Sequence, residues 1–275
     1  MKSTLIAAPL YILRKECSQD LLAVLSRLGT LGFNGVEFLG FFGKSAESVR
    51  EKMGELNMVP LGNHVGFSEF ISDIHSTIDF HKKVGCRHIT IGNIPHSGLP
   101  GGEKFPETIK QLTQIGRICR DEGITLLYHN HAIELTHKIY GKYMFEVILD
   151  EIPEDYLALE PDLGWMAIGG ADPVFFLDKY RNRCPVIHFK DFYASEISKI
   201  GNVGDLDHRR GTAEMGYFEF RPVGYGIANI PGYIHKVLEC NPEWIVMDHD
   251  LAYERNSFED LQLSQSYVRQ LLSMI

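Results

Sequence analysis

Short apolar runs rich in branched residues recur along the chain, and stretches with helical spacing separate them. The runs fall at 5–9, 35–38, 59–64, 88–91, 125–129, 157–160, 186–190 and 244–247. Between them, Leu21, Leu25 and Leu28 share one helical face, as do Ile71, Ile74 and Ile78, and then Leu112, Ile115 and Ile118. Asp172-Pro173 reads as a helix cap followed by proline at the first helical position. Ser257 with Asp260 three residues later resembles a capping box. Eight strand-then-helix units predict parallel pairing through right-handed crossovers. The count of eight, with no Gly-x-Gly-x-x-Gly after the first strand, favours an α/β fold closed as a (β/α)8 TIM barrel over an open doubly wound sheet. One domain over 1–275 is expected. The stretch 192–222 is too long for an ordinary connection and is a candidate lid or subunit interface in a homo-oligomer.

The 275 residues match the usual size of such a barrel. A formal net charge of −9 argues against a nucleic-acid partner. No apolar run reaches the roughly 20 residues that span a bilayer, so no membrane partner is expected. Arg14-Lys15-Glu16 stands where a signal-peptide cleavage site would need small residues, so the apolar start reads as a strand, with a signal peptide as the lesser alternative. Five scattered cysteines without a Cys-x-x-Cys pair point to reduced thiols in a cytoplasmic protein and to no zinc–thiolate site.

In such a barrel the chemistry sits at the carboxyl ends of the strands. Polar residues crowd there: Glu37, Asn63-His64, Tyr128-His-Asn-His131 with Glu134, Glu160-Pro-Asp162, His188-Phe-Lys190-Asp191 and Asp248-His-Asp250. Residues two apart in a strand face the same way. The pairs His129/His131, Glu160/Asp162, His188/Lys190 and Asp248/Asp250 are therefore expected to point into the barrel mouth together. So many carboxylates and imidazoles repel one another unless a cation joins them. Mixed oxygen and nitrogen donors suit one divalent metal ion, Mn2+, Co2+, Zn2+, Mg2+ or Fe2+. Such an ion polarises a carbonyl and acidifies the neighbouring carbon, and a nearby carboxylate can carry the proton. Glu37, His64, His131, Trp165 and Lys190 are candidate substrate contacts at the same end. Lys190 has a second reading, as the partner of a carboxylate such as Glu160. Arg209-Arg210 is a solvated pair or an anion contact from a lid, and Gly224-Tyr-Gly226 is a weak candidate anion site.

Tyr128-His-Asn-His-x-x-Glu134, Leu159-Glu-Pro-Asp-x-x-Trp165, Gly170–Pro173 and His188-Phe-Lys-Asp191 together resemble the sugar phosphate isomerase/epimerase family of the xylose-isomerase-like TIM barrel superfamily. The resemblance runs from Gly35 to Asp250. It implies a metal held by Glu134, Asp162, His188 and Asp248, the last standing where the family usually has glutamate. It also implies proton transfer by Glu134, with Asp248 or His129 as its counterpart. The expected activity is isomerisation or epimerisation of a keto-sugar or related polyol. The alternative is a lyase, either a keto-inositol dehydratase or an enzyme eliminating from 3-keto-glycosides. The shorter Asp248 weakens the case for epimerisation more than the case for metal binding. Rivals of other classes are an AP endonuclease, which the acidic charge disfavours, and a catalytically silent sugar-binding barrel.

Overall fold

The computed structural model describes residues 5–196 and 217–275. Eight parallel strands form one sheet: β1 (Leu5–Pro9), β2 (Gly35–Phe38), β3 (Val59–His64), β4 (His88–Ile91), β5 (Thr125–His129), β8 (Ala158–Glu160), β9 (Val186–Phe189) and β12 (Trp244–Met247). Their order is β8-β5-β4-β3-β2-β1-β12-β9. The two outer strands meet through a parallel bridge between Asp162 and His188, with the His188 N–H donating to the Pro161 carbonyl at 2.9 Å. That seam closes the expected barrel. Two short antiparallel pairs stand outside it, β6 (Lys138–Ile139) with β7 (Lys142–Tyr143), and β10 (Asp191–Ala194) with β11 (Phe218–Arg221).

Period-two alternation divides each strand between two cores. Outward residues such as Ile6, Val36, Ile89, Tyr128, Ile187, Phe189 and Ile245 pack under the helices with Leu21, Leu25, Leu28, Leu112 and Ile115. Inward residues Ala7, Leu61, Leu127, Val186, Trp244 and Val246 plug the bottom of the barrel. On the same faces, two residues further on, the inward positions turn polar: His129 follows Leu127, His188 follows Val186, and Asp248 follows Val246. The apolar plug is thus the platform on which the polar floor rests.

Local structure departs from expectation in three places. The Ile71, Ile74, Ile78 face is split between two helices, Phe67–Ser72 and Ile74–Val84, because Asp73 leaves helical geometry at φ −152° and caps the second helix through Ser76. The last helix, Ser257–Ser273, is capped by Asn256, whose side chain accepts from Phe258 and Glu259. Asp260 pairs with Arg255 instead of completing a box. Within 192–222 the ends form the β10–β11 hairpin, while 197–216, including Arg209-Arg210, lies outside the described residues.

Asp191 fastens this hairpin. Its Oδ1 accepts from the N–H groups of Phe192 at 2.8 Å and Ala228 at 3.0 Å. Its Oδ2 accepts from Gly224 and Gly226, both at 2.9 Å. The candidate anion site at Gly224–Gly226 is therefore filled by the chain's own carboxylate. Gly226 lies against that carboxylate so closely that no side chain fits between them. Asp191→Ala leaves these donors without their acceptor and is expected to cost about 3 kcal/mol, read from the midpoint of urea unfolding.

Candidate active site

Glu160 is the hub of the floor and is wholly buried. Its Oε1 lies 2.8 Å from His64 Nε2, 3.1 Å from His129 Nδ1 and 3.2 Å from His188 Nε2. Its Oε2 accepts from the Thr90 hydroxyl at 2.9 Å. Glu37 reaches the same two imidazoles, 3.3 Å from His64 Nε2 and 3.1 Å from His188 Nε2. Burial alone would lower the His64 pKa, but the Glu37 and Glu160 carboxylates outweigh it and raise His64 to about 10. The same contest holds His188 well above its ordinary value. Burial would raise Glu160, yet the charges on His188 and His64 and the hydrogen bond from His129 keep it well below the usual carboxylate range.

His129 belongs to a different balance. Burial lowers it to about 4, so it is a neutral imidazole. Its Nδ1 is engaged by Glu160, which leaves the Nε2 lone pair facing Asp162 Oδ2 at 4.0 Å. His188 turns Nε2 to the glutamates and Nδ1 to Asp248 Oδ2 at 3.3 Å. Asp162 Oδ2 and His188 Nδ1 are buried and have no hydrogen-bond partner. His129, Asp162, His188 and Asp248 each offer a ligand atom within 4.8 Å of the others. Burial, together with the nearby Asp248 charge, pushes the Asp162 carboxyl well above its ordinary range, although Lys190 opposes this. The buried Asp162 Oδ2, without a hydrogen-bond partner inside a ring of mixed oxygen and nitrogen ligands, fits a divalent metal ion. Glu160 holding His129 Nδ1 is the outer carboxylate that such a histidine needs. A second group with this geometry, His64, His129, Glu160 and His188, shares two imidazoles with the first. There the atoms already satisfy one another.

Glu134 is not in either group. Its Oε1 accepts from the Tyr128 hydroxyl at 2.9 Å and its Oε2 from the His131 N–H at 3.0 Å. Burial pushes its carboxyl up to about 7, against the opposing hydrogen bonds from its own backbone, Tyr128 and His131. Of the four expected metal ligands, Asp162, His188 and Asp248 stand together with His129, and Glu134 lies apart from them. The short helix Ile133–Thr136 turns Glu134 back onto Tyr128 rather than across the mouth.

Lys190 is placed as in its second reading, paired with carboxylates, although the partners are aspartates. Its ammonium is fully buried 2.7 Å from Asp248 Oδ2 and 3.6 Å from Asp162 Oδ2, and it hydrogen-bonds Asp250 Oδ2. Glu160 is not its partner. Gly164 makes room for it, since a Cβ there would sit 2.6 Å from the Lys190 Cβ.

Above the floor lies a cavity of about 640 Å³, within the range of small-molecule sites. Glu37, His64, His129, His131, Glu134, Trp165, His188, Asp248 and Asp250 line it, with Tyr11, Phe38, Leu39, Ile94 and Leu99 as an apolar wall. Lys190 is not among the lining residues. His131, lowered to about 3 chiefly by burial, presents a neutral ring to the cavity, 5.6 Å from the Trp165 ring. Trp165 also packs 5.6 Å from Phe220 of the β10–β11 hairpin, so it is both a cavity wall and a packing anchor.

Residues 25–266 match the family described as xylose isomerase-like TIM barrel. The chain belongs to that family. It is 24% identical over 251 residues to the inosose dehydratase of Geobacillus kaustophilus, which spans 82% of this chain and 78% of that one. A sugar phosphate isomerase/epimerase from Parabacteroides distasonis is similar in structure, with TM-score 0.73 and 20% identity over 98% of this chain and 96% of that one. The IOLI protein, solved with a bound zinc atom, gives TM-score 0.71 and 12% identity over 98% and 99%. At these identities the structural likenesses carry the fold.

Within this family frame, all four residue pairs predicted from strand parity do converge on the floor or the cavity. The sequence pattern places Glu160, Tyr128 and Asp250 at the mouth without an assigned role, and it does not single out Thr90. The period-two rule placed Glu160 and Asp250 beside Asp162 and Asp248, and that signal was sufficient to find them. Thr90 and the Tyr128–Glu134 contact depend on which neighbouring strand or turn comes close.

Proposed function

We propose that this protein is a metal-dependent lyase that removes water from a keto-polyol or keto-sugar of the inosose type. The observation that carries this reading is the unequal state of the cavity carboxylates. Asp248 is engaged by Lys190 and His188, and Glu37 by His64 and His188. Among the described lining residues, Glu134 is the carboxylate whose hydrogen-bond donors are both neutral, and its value near 7 suits a group that takes and returns protons. An epimerase needs a second mobile carboxylate across the substrate carbon, and Asp248 is poorly free to serve. Elimination needs instead one base and one acid. The inosose dehydratase relative adds to this reading.

His129, Asp162, His188 and Asp248 would hold a divalent ion, which when bound would supply Lewis acidity at the substrate carbonyl. Glu134 takes a proton from the adjacent carbon. The released pair forms a carbon–carbon double bond as the bond to the β-hydroxyl breaks. His64, protonated between Glu37 and Glu160, donates to the departing oxygen, and water leaves. His131 and Trp165 hold the ring. His129, neutral and tied to Glu160, is a ligand in this scheme rather than a proton carrier. The buried free thiols of all five cysteines are in keeping with a reducing, cytoplasmic setting.

Incubating the metal-loaded protein with a keto-inositol in deuterated water tests the reading by mass spectrometry. Loss of one water is expected. Deuterium gained at carbon without water loss would replace it with the isomerase or epimerase reading. Binding with neither change would leave a silent sugar-binding barrel.

A further inference from the structure

We infer that Lys190 is a tethered counter-cation that competes with the metal ion and sets how tightly this site holds it. The inference rests on the metal-binding reading of His129, Asp162, His188 and Asp248. Two of those four residues, Asp162 and Asp248, are also within ion-pair distance of the Lys190 ammonium, at 3.6 and 2.7 Å. A carboxylate oxygen, Asp248 Oδ2, faces both the ammonium and His188 Nδ1. The ammonium and a bound metal ion therefore draw on the same oxygens.

The lysine is built into this place. It is fully buried, its Nζ lies 5.3 Å from the ring centres of Trp165 and Phe220, and Gly164 has no side chain that would displace it. The ring faces favour a cation there, and Asp250 gives it a third carboxylate. Its positive charge is thus fixed whether or not the metal is bound. Burying several aspartates without any cation is costly, so in the metal-free protein the charge of Lys190 offsets that of Asp248 and holds the Asp162 carboxyl close beside it. The same charge repels an incoming divalent ion, and the low local polarity strengthens that repulsion. Asp250 moderates the competition, because it draws the ammonium away from the two ligands.

Two substitutions move metal affinity in opposite directions. Lys190→Met keeps the length of the side chain and removes its charge, and should tighten Mn2+ or Zn2+ binding at least tenfold. Asp250→Asn should leave the ammonium more fully on Asp162 and Asp248 and weaken binding severalfold. Both are read by isothermal titration or chelator competition, with circular dichroism confirming the fold. Lys190→Met should also lower the melting temperature of the metal-free protein and restore it when metal is added. Unchanged or weaker binding in folded Lys190→Met, beside a wild type that binds, would overturn the role of the lysine alone. If Lys190→Met does not fold, unchanged or tighter binding in Asp250→Asn overturns it equally. No metal bound by the wild type or by either variant would overturn both this inference and the metal-binding reading.

Discussion

Glu134→Gln is expected to lower turnover by about 10² to 10⁴, the usual contribution of a positioned proton carrier, while leaving the protein folded. The amide is close in shape to the acid. Its oxygen can accept from the His131 N–H, and its NH₂ can donate to the Tyr128 hydroxyl oxygen, so both present contacts survive. Steady-state kinetics on the keto-inositol substrate checks the loss, and metal content checks its cause. Because Glu134 is outside the metal-capable groups, the variant should retain metal, whereas a metal ligand would lose it. In the wild type the base must be ionised. Activity should therefore fall as pH drops through about 7, and this acid limb should be missing from any residual activity of the variant.

Stability moves the opposite way. Burial raises the Glu134 carboxyl from an ordinary 4.5 to about 7, so the folded state favours the protonated form. Its contribution is fully present below the unfolded value and is lost as pH rises through about 7. At one pH unit per 1.36 kcal/mol, that loss is about 3 kcal/mol. Glu134→Gln has no charge to bury and should be more resistant to urea than the wild type above neutrality. A proton carrier maintained at a cost in stability gives this pair of results. A purely structural glutamate would give reduced stability with activity retained.

Asp162→Asn carries the other large effect. Asp162 Oδ1 caps the helix Leu163–Ile168 by accepting from the Trp165 N–H at 2.7 Å, a bond that the asparagine oxygen preserves. The orphaned Oδ2 becomes an NH₂ that cannot ligate a cation. Metal retained through purification should fall to background by elemental mass spectrometry. Turnover should drop by about 10³ or more, the scale of several kcal/mol of lost Lewis-acid assistance. The fold should persist, since burial and the Asp248 charge already disfavour an ionised Asp162. A variant that keeps its metal would show that the cation sits elsewhere, with the His64, His129, Glu160 and His188 group the next place to look.

Much of this arrangement is written in local pattern. Eight apolar runs separated by helical stripes determine the barrel, and period-two spacing determines that Glu160 goes with Asp162, His188 with Lys190, and Asp248 with Asp250. The resemblance of the His-Asn-His, Glu-Pro-Asp and His-Phe-Lys-Asp motifs to one family added the expectation of a metal. What local pattern does not contain is the distance between side chains on different strands. Glu134 lies six residues from Tyr128, and only the turn of the short helix after β5 decides that it faces that hydroxyl instead of the cation ligands. His129 enters the metal-capable group because Glu160, 31 residues away, takes its Nδ1 and leaves Nε2 bare. Lys190 is withdrawn from the cavity because aspartates from the loops after β8 and β12 surround its ammonium at the seam where the barrel closes. Chain chemistry chose which groups reach the mouth. Barrel closure decided which of them meet, because charge and hydrogen bonding act over a few ångströms and sequence spacing fixes such distances only within one strand or turn.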